Sequence, residues 1–162
     1  MKLLLICACA FASLLFADDS KSLLPATNKA ESWRFEQHEG GKGSLKATDD
    51  AIELTVAEVD GTDWHVQAIR TGLDLKNGKQ YVLKFQAKAS ESRSIGVNAG
   101  IDEEDWHNIG LQESAFLSKE YKPFEFTFTA DGVAAEKKNR IALVLGDSKG
   151  TVTVKNMTLT EK

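Results

Sequence analysis

The chain has 162 residues, 42% of them hydrophobic and 27% charged, with 20 Lys and Arg against 24 Asp and Glu for a formal net charge of −4. Those proportions suit one folded domain with its own core, and they exclude a disordered tail or a collagen-like fibre. A mildly acidic chain whose Lys and Arg are scattered lacks the concentrated positive field that condenses on phosphate backbones, so nucleic acid is not an expected partner.

Residues 1–17 read as a secretory signal peptide. Met1-Lys2 supply the charged start, Leu3 to Phe16 the apolar run and Ala17 the small residue at the cut, with Asp18-Asp19 following. The run is short for a bilayer span, so no membrane insertion is expected after cleavage. The product is expected to be secreted or periplasmic, in a bacterial envelope. Cys7 and Cys9 both lie in that run, which leaves the rest of the chain without a disulfide. Lipid attachment at Cys9 is disfavoured, because the apolar stretch continues well beyond it. Stability must then come from the core, with or without a bound metal ion.

Residues 18–30 are polar, contain Pro25 and show no period; they read as a leader segment or a first edge strand. Beyond Trp33 the polarity alternates with a period of two: Ile52/Leu54/Val56, Tyr81/Leu83/Phe85/Ala87, Ile95/Val97/Ala99, Phe124/Phe126/Phe128, Ile141/Leu143/Leu145 and Val152/Val154. No long stretch has a helical period. Gly40-Gly41-Lys42-Gly43, Asp60-Gly61, Asn77-Gly78, Asp131-Gly132 and Asp147-Ser148-Lys149-Gly150 supply turn chemistry between the runs. Short strands with one apolar face each must pair those faces across two sheets. The expected fold is therefore all-β, a two-sheet jelly-roll β-sandwich over residues 31–162.

Several stretches carry a resemblance: Trp64-His65-Val66-Gln67, Gly72 through Tyr81, Leu83-Lys84-Phe85-Gln86-Ala87-Lys88-Ala89, Trp106 through Leu111, Phe124 through Phe128 and Gly150 through Leu159. Together they resemble carbohydrate-binding modules of the family 4, 9 and 22 type. The resemblance implies a galactose-binding-domain-like jelly roll that binds a polysaccharide or oligosaccharide on a concave sheet face and carries no catalytic centre of its own.

Sugar recognition needs flat apolar faces for pyranose rings and polar groups in the same plane for hydroxyls. Trp64 and Trp106 sit in an internal echo, Asp63-Trp64-His65 and Asp105-Trp106-His107. The resembled modules place an aromatic near the start of a cleft strand, a polar residue three positions on and a second aromatic about forty residues downstream. Trp64, Gln67 and Trp106 match that spacing. Strand parity turns Val66 and Ala68 inward and leaves His65 and Gln67 on the cleft side. A strict strand would bury Trp64 with Val66, so Trp64 reaches the cleft only if the strand begins after it or carries a bulge. With Ile95, Val97 and Ala99 inward, Asn98 points out, and Arg140 is outward relative to Ile141. His65 and His107 are expected to hydrogen-bond sugar hydroxyls beside each indole.

The acidic group Asp102-Glu103-Glu104-Asp105 reads first as a solvated turn. Its adjacent carboxylates diverge, which makes a poor acid and base pair for glycoside hydrolysis. The resemblance also implies a structural calcium, Ca2+, held by a Glu near the start of the domain and an Asp near its end. Glu36 matches the first, but Lys155-Asn156 stands at the second, and Asn156 is a weak ligand beside a repelling lysine. Two rival functions remain: an envelope or adhesion module whose sandwich contacts protein, and a small glycan hydrolase or lyase.

Overall fold

The computed structural model describes residues 21–162, so the signal-peptide reading of residues 1–17 lies outside the described residues. Ten strands follow in order: β1 (Arg34–Gln37), β2 (Lys42–Ala47), β3 (Ala51–Glu58), β4 (Val66–Leu73), β5 (Gln80–Ala89), β6 (Arg93–Ile101), β7 (Asn108–Leu117), β8 (Lys122–Thr129), β9 (Asn139–Val144) and β10 (Gly150–Glu161). They form two five-stranded sheets, ordered β1-β4-β9-β6-β7 and β2-β3-β10-β5-β8, with antiparallel pairing throughout. The expected all-β sandwich is the observed fold. Helical structure among the described residues is limited to two 3-10 turns, Ala30–Ser32 and Asp63–His65.

Alternation explains the packing. Ile52, Leu54 and Val56 of β3, Tyr81, Leu83 and Phe85 of β5, Ile95 and Val97 of β6, Ile141 and Leu143 of β9, and Val152 and Val154 of β10 meet in one buried core between the sheets. Each such side chain contributes about 1.5–3 kcal/mol by leaving water. Pro123 lies in β8, the edge strand of the second sheet, where a missing N–H is tolerated. Asn156, with φ 53°, sits where the β10 register with β5 shifts.

Residues 21–29 form no strand, and the first edge strand is β1. The segment is nonetheless tied to the sandwich. Leu23 donates its amide to the Leu159 carbonyl at 2.8 Å, and the Trp33 indole N–H donates to the Thr27 carbonyl at 2.8 Å. The Thr27 hydroxyl accepts from the Met157 amide at 2.7 Å. Pro25 therefore lies in a strap. Gly43, read as part of a turn, belongs to β2.

Candidate functional site

The outer face of the first sheet carries a large aromatic cleft that joins several of the expected residues. It has a volume of about 590 Å³ and is lined by Glu36, His38, Asp63, Trp64, Gln67, Asn98, Trp106, Arg140 and Val144. A smaller hollow of about 260 Å³ continues it toward Gly100, Asn108, Gln112 and Ala142, sharing Gln67, Asn98, Trp106 and Arg140. Register explains the assembly: Glu36 pairs with Gln67, Gln67 with Val144, Asn98 with Ala142 and with Gln112, and Gly100 with Arg140. Residues in register across neighbouring strands share a face.

Trp64 reaches this face because β4 begins at Val66, after the 3-10 turn that carries the indole. The turn lies close over the end of β9, where the Gly146 amide donates to the Asp63 carbonyl at 2.7 Å. A Cβ at Gly146 would collide with that same carbonyl oxygen, so the approach requires glycine. Trp64 is 49% exposed, with its ring 4.2 Å from the His65 ring edge-on and 5.4 Å from the tilted His38 ring.

Trp106 is delivered by the loop between β6 and β7. Asp105 and Trp106 have φ of 78° and 50°, left-handed values that a bulky indole rarely adopts. The surroundings hold that backbone in place. Trp106 donates its amide to the Glu103 carbonyl at 3.0 Å, Lys138 pairs with Glu103 at 2.9 Å, and Asp102 takes a two-pronged contact from Arg34 at 2.9 and 2.5 Å. A Cβ at Gly100 would stand 3.0 Å from the His107 carbonyl oxygen, a tight contact that glycine avoids where the loop lies this low. The indole is 54% exposed, and the Arg140 guanidinium lies 5.1 Å from its ring centre. The acidic run is the turn that the sequence suggests, and it serves to aim Trp106.

The polar floor has free valences. Gln67 donates from Nε2 to the Trp64 carbonyl at 2.9 Å, which leaves its amide oxygen as an acceptor. Asn98 has no side-chain hydrogen-bond partner among the described residues, and it lines both hollows. Arg140 loses some proton affinity to burial, while Asp102 and Glu36 restore part of it through space. Arg34 holds the Asp102 carboxyl below its usual range through their hydrogen bonds.

The two echo histidines do not line the cleft. His65 is buried, with Nδ1 2.6 Å from Asp60 Oδ2, and it supports Trp64 from beneath. The parity argument that paired it with Gln67 fails because His65 belongs to the 3-10 turn and not to β4. His107 has Nδ1 2.6 Å from Asp105 Oδ1 and Nε2 2.7 Å from the Gly132 carbonyl oxygen, so both nitrogens are engaged in fixing the loop. The histidine that does line the cleft is His38, which sequence reasoning left unassigned. Arg34 and Glu36 alternate along β1 and His38 follows directly after its end, a period-two signal too short to recognise without knowing that a strand is there.

Both His107 contacts are complete only when the ring is protonated and donates twice, so its pKa is raised, by the Gly132 carbonyl first and the Asp105 carboxylate second. The contribution is present below the unfolded histidine pKa and is lost as pH rises through the higher folded value. An NMR titration should place the His107 midpoint above the usual histidine value, and Asp105→Asn should lower it. A midpoint at or below the usual value contradicts this description of the loop.

Glu36 and Asn156, the residues expected to hold calcium, lie in different sheets, on β1 and β10. Glu36 Oε1 lies 2.7 Å from Arg34 Nε, and Oε2 lies 3.3 Å from His38 Nε2, on the outer face of the first sheet. Asn156 is exposed in β10 of the second sheet, beside Lys155. No cluster of three or more His, Cys, Asp or Glu suited to a metal occurs among the described residues. The expected result is that a chelator leaves the melting temperature unchanged, whereas specific binding at 100 times the dissociation constant would supply about 2.7 kcal/mol. A calcium-dependent rise in melting temperature would show that other oxygens build a site.

Comparisons with known proteins agree with this geometry. Residues 18–150 match the carbohydrate-binding domain family designated CBM_4_9. A solved family 4 carbohydrate-binding module, CBM4, superposes with a TM-score of 0.73 over 88% of this chain and 95% of its own, at 20% identity. The N-terminal cellulose-binding domain of Cellulomonas fimi β-1,4-glucanase C gives 0.64 over 82% of this chain and 90% of its own, at 21% identity. A carbohydrate-binding module described for specific mannan recognition gives 0.57 over 85% and 95%, at 16% identity. At these identities the likenesses establish the fold. No curated protein matches the chain.

Proposed function

The chain belongs to the carbohydrate-binding domain family and is a non-catalytic module for polysaccharide; from that premise we propose that it takes its glycan in the cleft on the outer face of the first sheet, between Trp64 and Trp106. The observation that carries this reading is the pair of half-exposed indoles on one sheet face with uncommitted polar groups between them. The rings stack on the apolar faces of pyranose units, while the Gln67 oxygen, the Asn98 amide and the Arg140 guanidinium bond their hydroxyls. On this reading the ligand is taken to be a neutral glycan, because Glu36 and Asp102, two of the acidic groups around the cleft, already face Arg34, His38 and Arg140. Export to the envelope or medium belongs to the same reading. The exported protein should have a mass beginning at or near Asp18, and retention of Cys7 and Cys9 contradicts export by cleavage.

Two of the solved neighbours are described as binding cellulose and mannan, and a third as a xylanase module complexed with xylohexaose, which defines a panel of cello-, manno- and xylo-oligosaccharides with their polymers. Isothermal titration should detect saturable binding to at least one series with no shortening of the ligand. Release of shorter sugars contradicts a pure binding role. Failure across every glycan, with a protein captured instead, favours the adhesion module.

A further inference from the structure

The cleft does not account for every aromatic on its face. Among the described residues the exposed large hydrophobics are Leu23, Trp64, Trp106 and Phe116, and Phe116 is 60% exposed, the most of the four. Its neighbours Ala115 and Leu117 are buried, so Phe116 points outward from β7, on the face that carries the cleft. Gln112, four residues earlier on β7, pairs with Asn98 in the cleft, and Phe116 pairs with Ser94. At about 3.4 Å per residue, Phe116 stands about 14 Å beyond Gln112 along the strand.

The outward-facing side chains between them are small or neutral. Outward positions of β6 and β7 over this span are Ser94, Gly96, Asn98, Gln112, Ser114 and Phe116, in a protein of which 27% is charged. Gly96 packs closely against the Val144 side chain of the cleft wall, since a Cβ there would stand only 3.0 Å from the Val144 Cβ. An isolated exposed phenylalanine needs no explanation. This one lies at the end of a row of outward neutral side chains that leads from a cleft flanked by two other exposed aromatics.

We propose that Phe116 is a distal stacking subsite, and that the module takes an extended glycan running from the Trp64–Trp106 cleft across Gly96 and Ser114 to this ring. The inference rests on the glycan-binding reading and adds the length of chain recognised. A short oligosaccharide fills the cleft alone, whereas a longer one gains the phenylalanine face.

The test is Phe116→Ala, an exposed change that should leave the fold intact, compared with wild type and Trp106→Ala by isothermal titration. The ligands are the trisaccharide and hexasaccharide of whichever cello-, manno- or xylo- series the wild type binds. Phe116→Ala should bind the trisaccharide as wild type does and the hexasaccharide roughly tenfold more weakly, equivalent to about 1.4 kcal/mol. Unchanged hexasaccharide binding in Phe116→Ala, with binding lost in Trp106→Ala, overturns the subsite and leaves the cleft standing. An equal loss on both lengths also overturns it, because a distal subsite cannot touch the short ligand. If wild type binds none of these sugars, or neither substitution alters binding, the cleft reading fails together with the subsite.

Discussion

Trp106→Ala should weaken glycan binding roughly thirtyfold, the factor that about 2 kcal/mol implies, and Trp64→Ala should do the same. Both indoles are about half exposed on the outer sheet face, so removing them leaves the buried core untouched and the variants should remain folded. That separates loss of a stacking surface from loss of structure. Gln67→Ala and Asn98→Ala should cost less, since each removes hydrogen bonds that water already satisfies in the free protein. Gln67 has the further task of tethering the Trp64 carbonyl, so its removal should exceed that of Asn98. Isothermal titration against an accepted oligosaccharide measures all four. Wild-type affinity in both Trp variants places the binding surface elsewhere.

Arg70→Met should destabilise the domain by about 3 kcal/mol or more, a shift of roughly 10 °C in melting temperature. Arg70 is 1% exposed, and its guanidinium lies 4.1 Å from the Trp33 ring centre. It donates to the carbonyls of Pro25 at 3.2 Å, Ala26 at 3.0 Å and Ser32 at 3.3 Å, and also to the Ser32 hydroxyl. Burial without a carboxylate partner pushes its pKa down to about 10. One buried cation thus gathers the oxygens of the strap across residues 25–32 and pins it to β4. Removing it strands several acceptors at once, and burying unpaired polar groups is expensive. Arg70→Lys should not rescue, because an ammonium cannot reproduce the planar fork that spans these carbonyls. A melting temperature within about 1 °C of wild type in Arg70→Met contradicts this role.

How much of the fold was legible follows from where each strand lies. The alternating runs marked β3, β5, β6, β8, β9 and β10, whose inward residues are large and buried on one face. The strands that escaped notice, β1, β2 and β7, are all sheet edges. An edge strand packs one side against a neighbour and leaves the other to water, so its pattern is diluted. In β2, Lys42-Gly43-Ser44-Leu45-Lys46-Ala47 alternates only between exposed and half-buried. In β7 the inward sequence Ile109, Leu111, Ala115, Leu117 is broken by the exposed Glu113. The remaining edge, β8, was legible because Phe124, Phe126 and Phe128 all point inward against Phe85 and Tyr81.

The site was legible to the same depth. Gln67, Asn98 and Arg140 follow from strand parity, and their neighbours in register bear them to one face. Parity has no force in turns, so it puts His65 on the cleft side although that residue sits in the 3-10 turn against Asp60, while His107, expected beside its indole from the sequence echo, fixes the β6–β7 loop through Asp105 and Gly132. Arg70 carried no signal at all, because nothing in a strand of Val66 to Leu73 announces that a strap of irregular chain will cover its guanidinium.

The central claim, that glycan lies on the outer face of the first sheet between the two indoles, is tested most directly by a chemical-shift titration of isotope-labelled protein with a bound oligosaccharide. The account predicts saturable shifts at the indole N–H groups of Trp64 and Trp106 and at the backbone of Gln67, Asn98, Gly100 and Ala142, with the outer face of β2, β3 and β10 unmoved. Shifts confined to the second sheet, or spread over loops distant from both indoles, would contradict it.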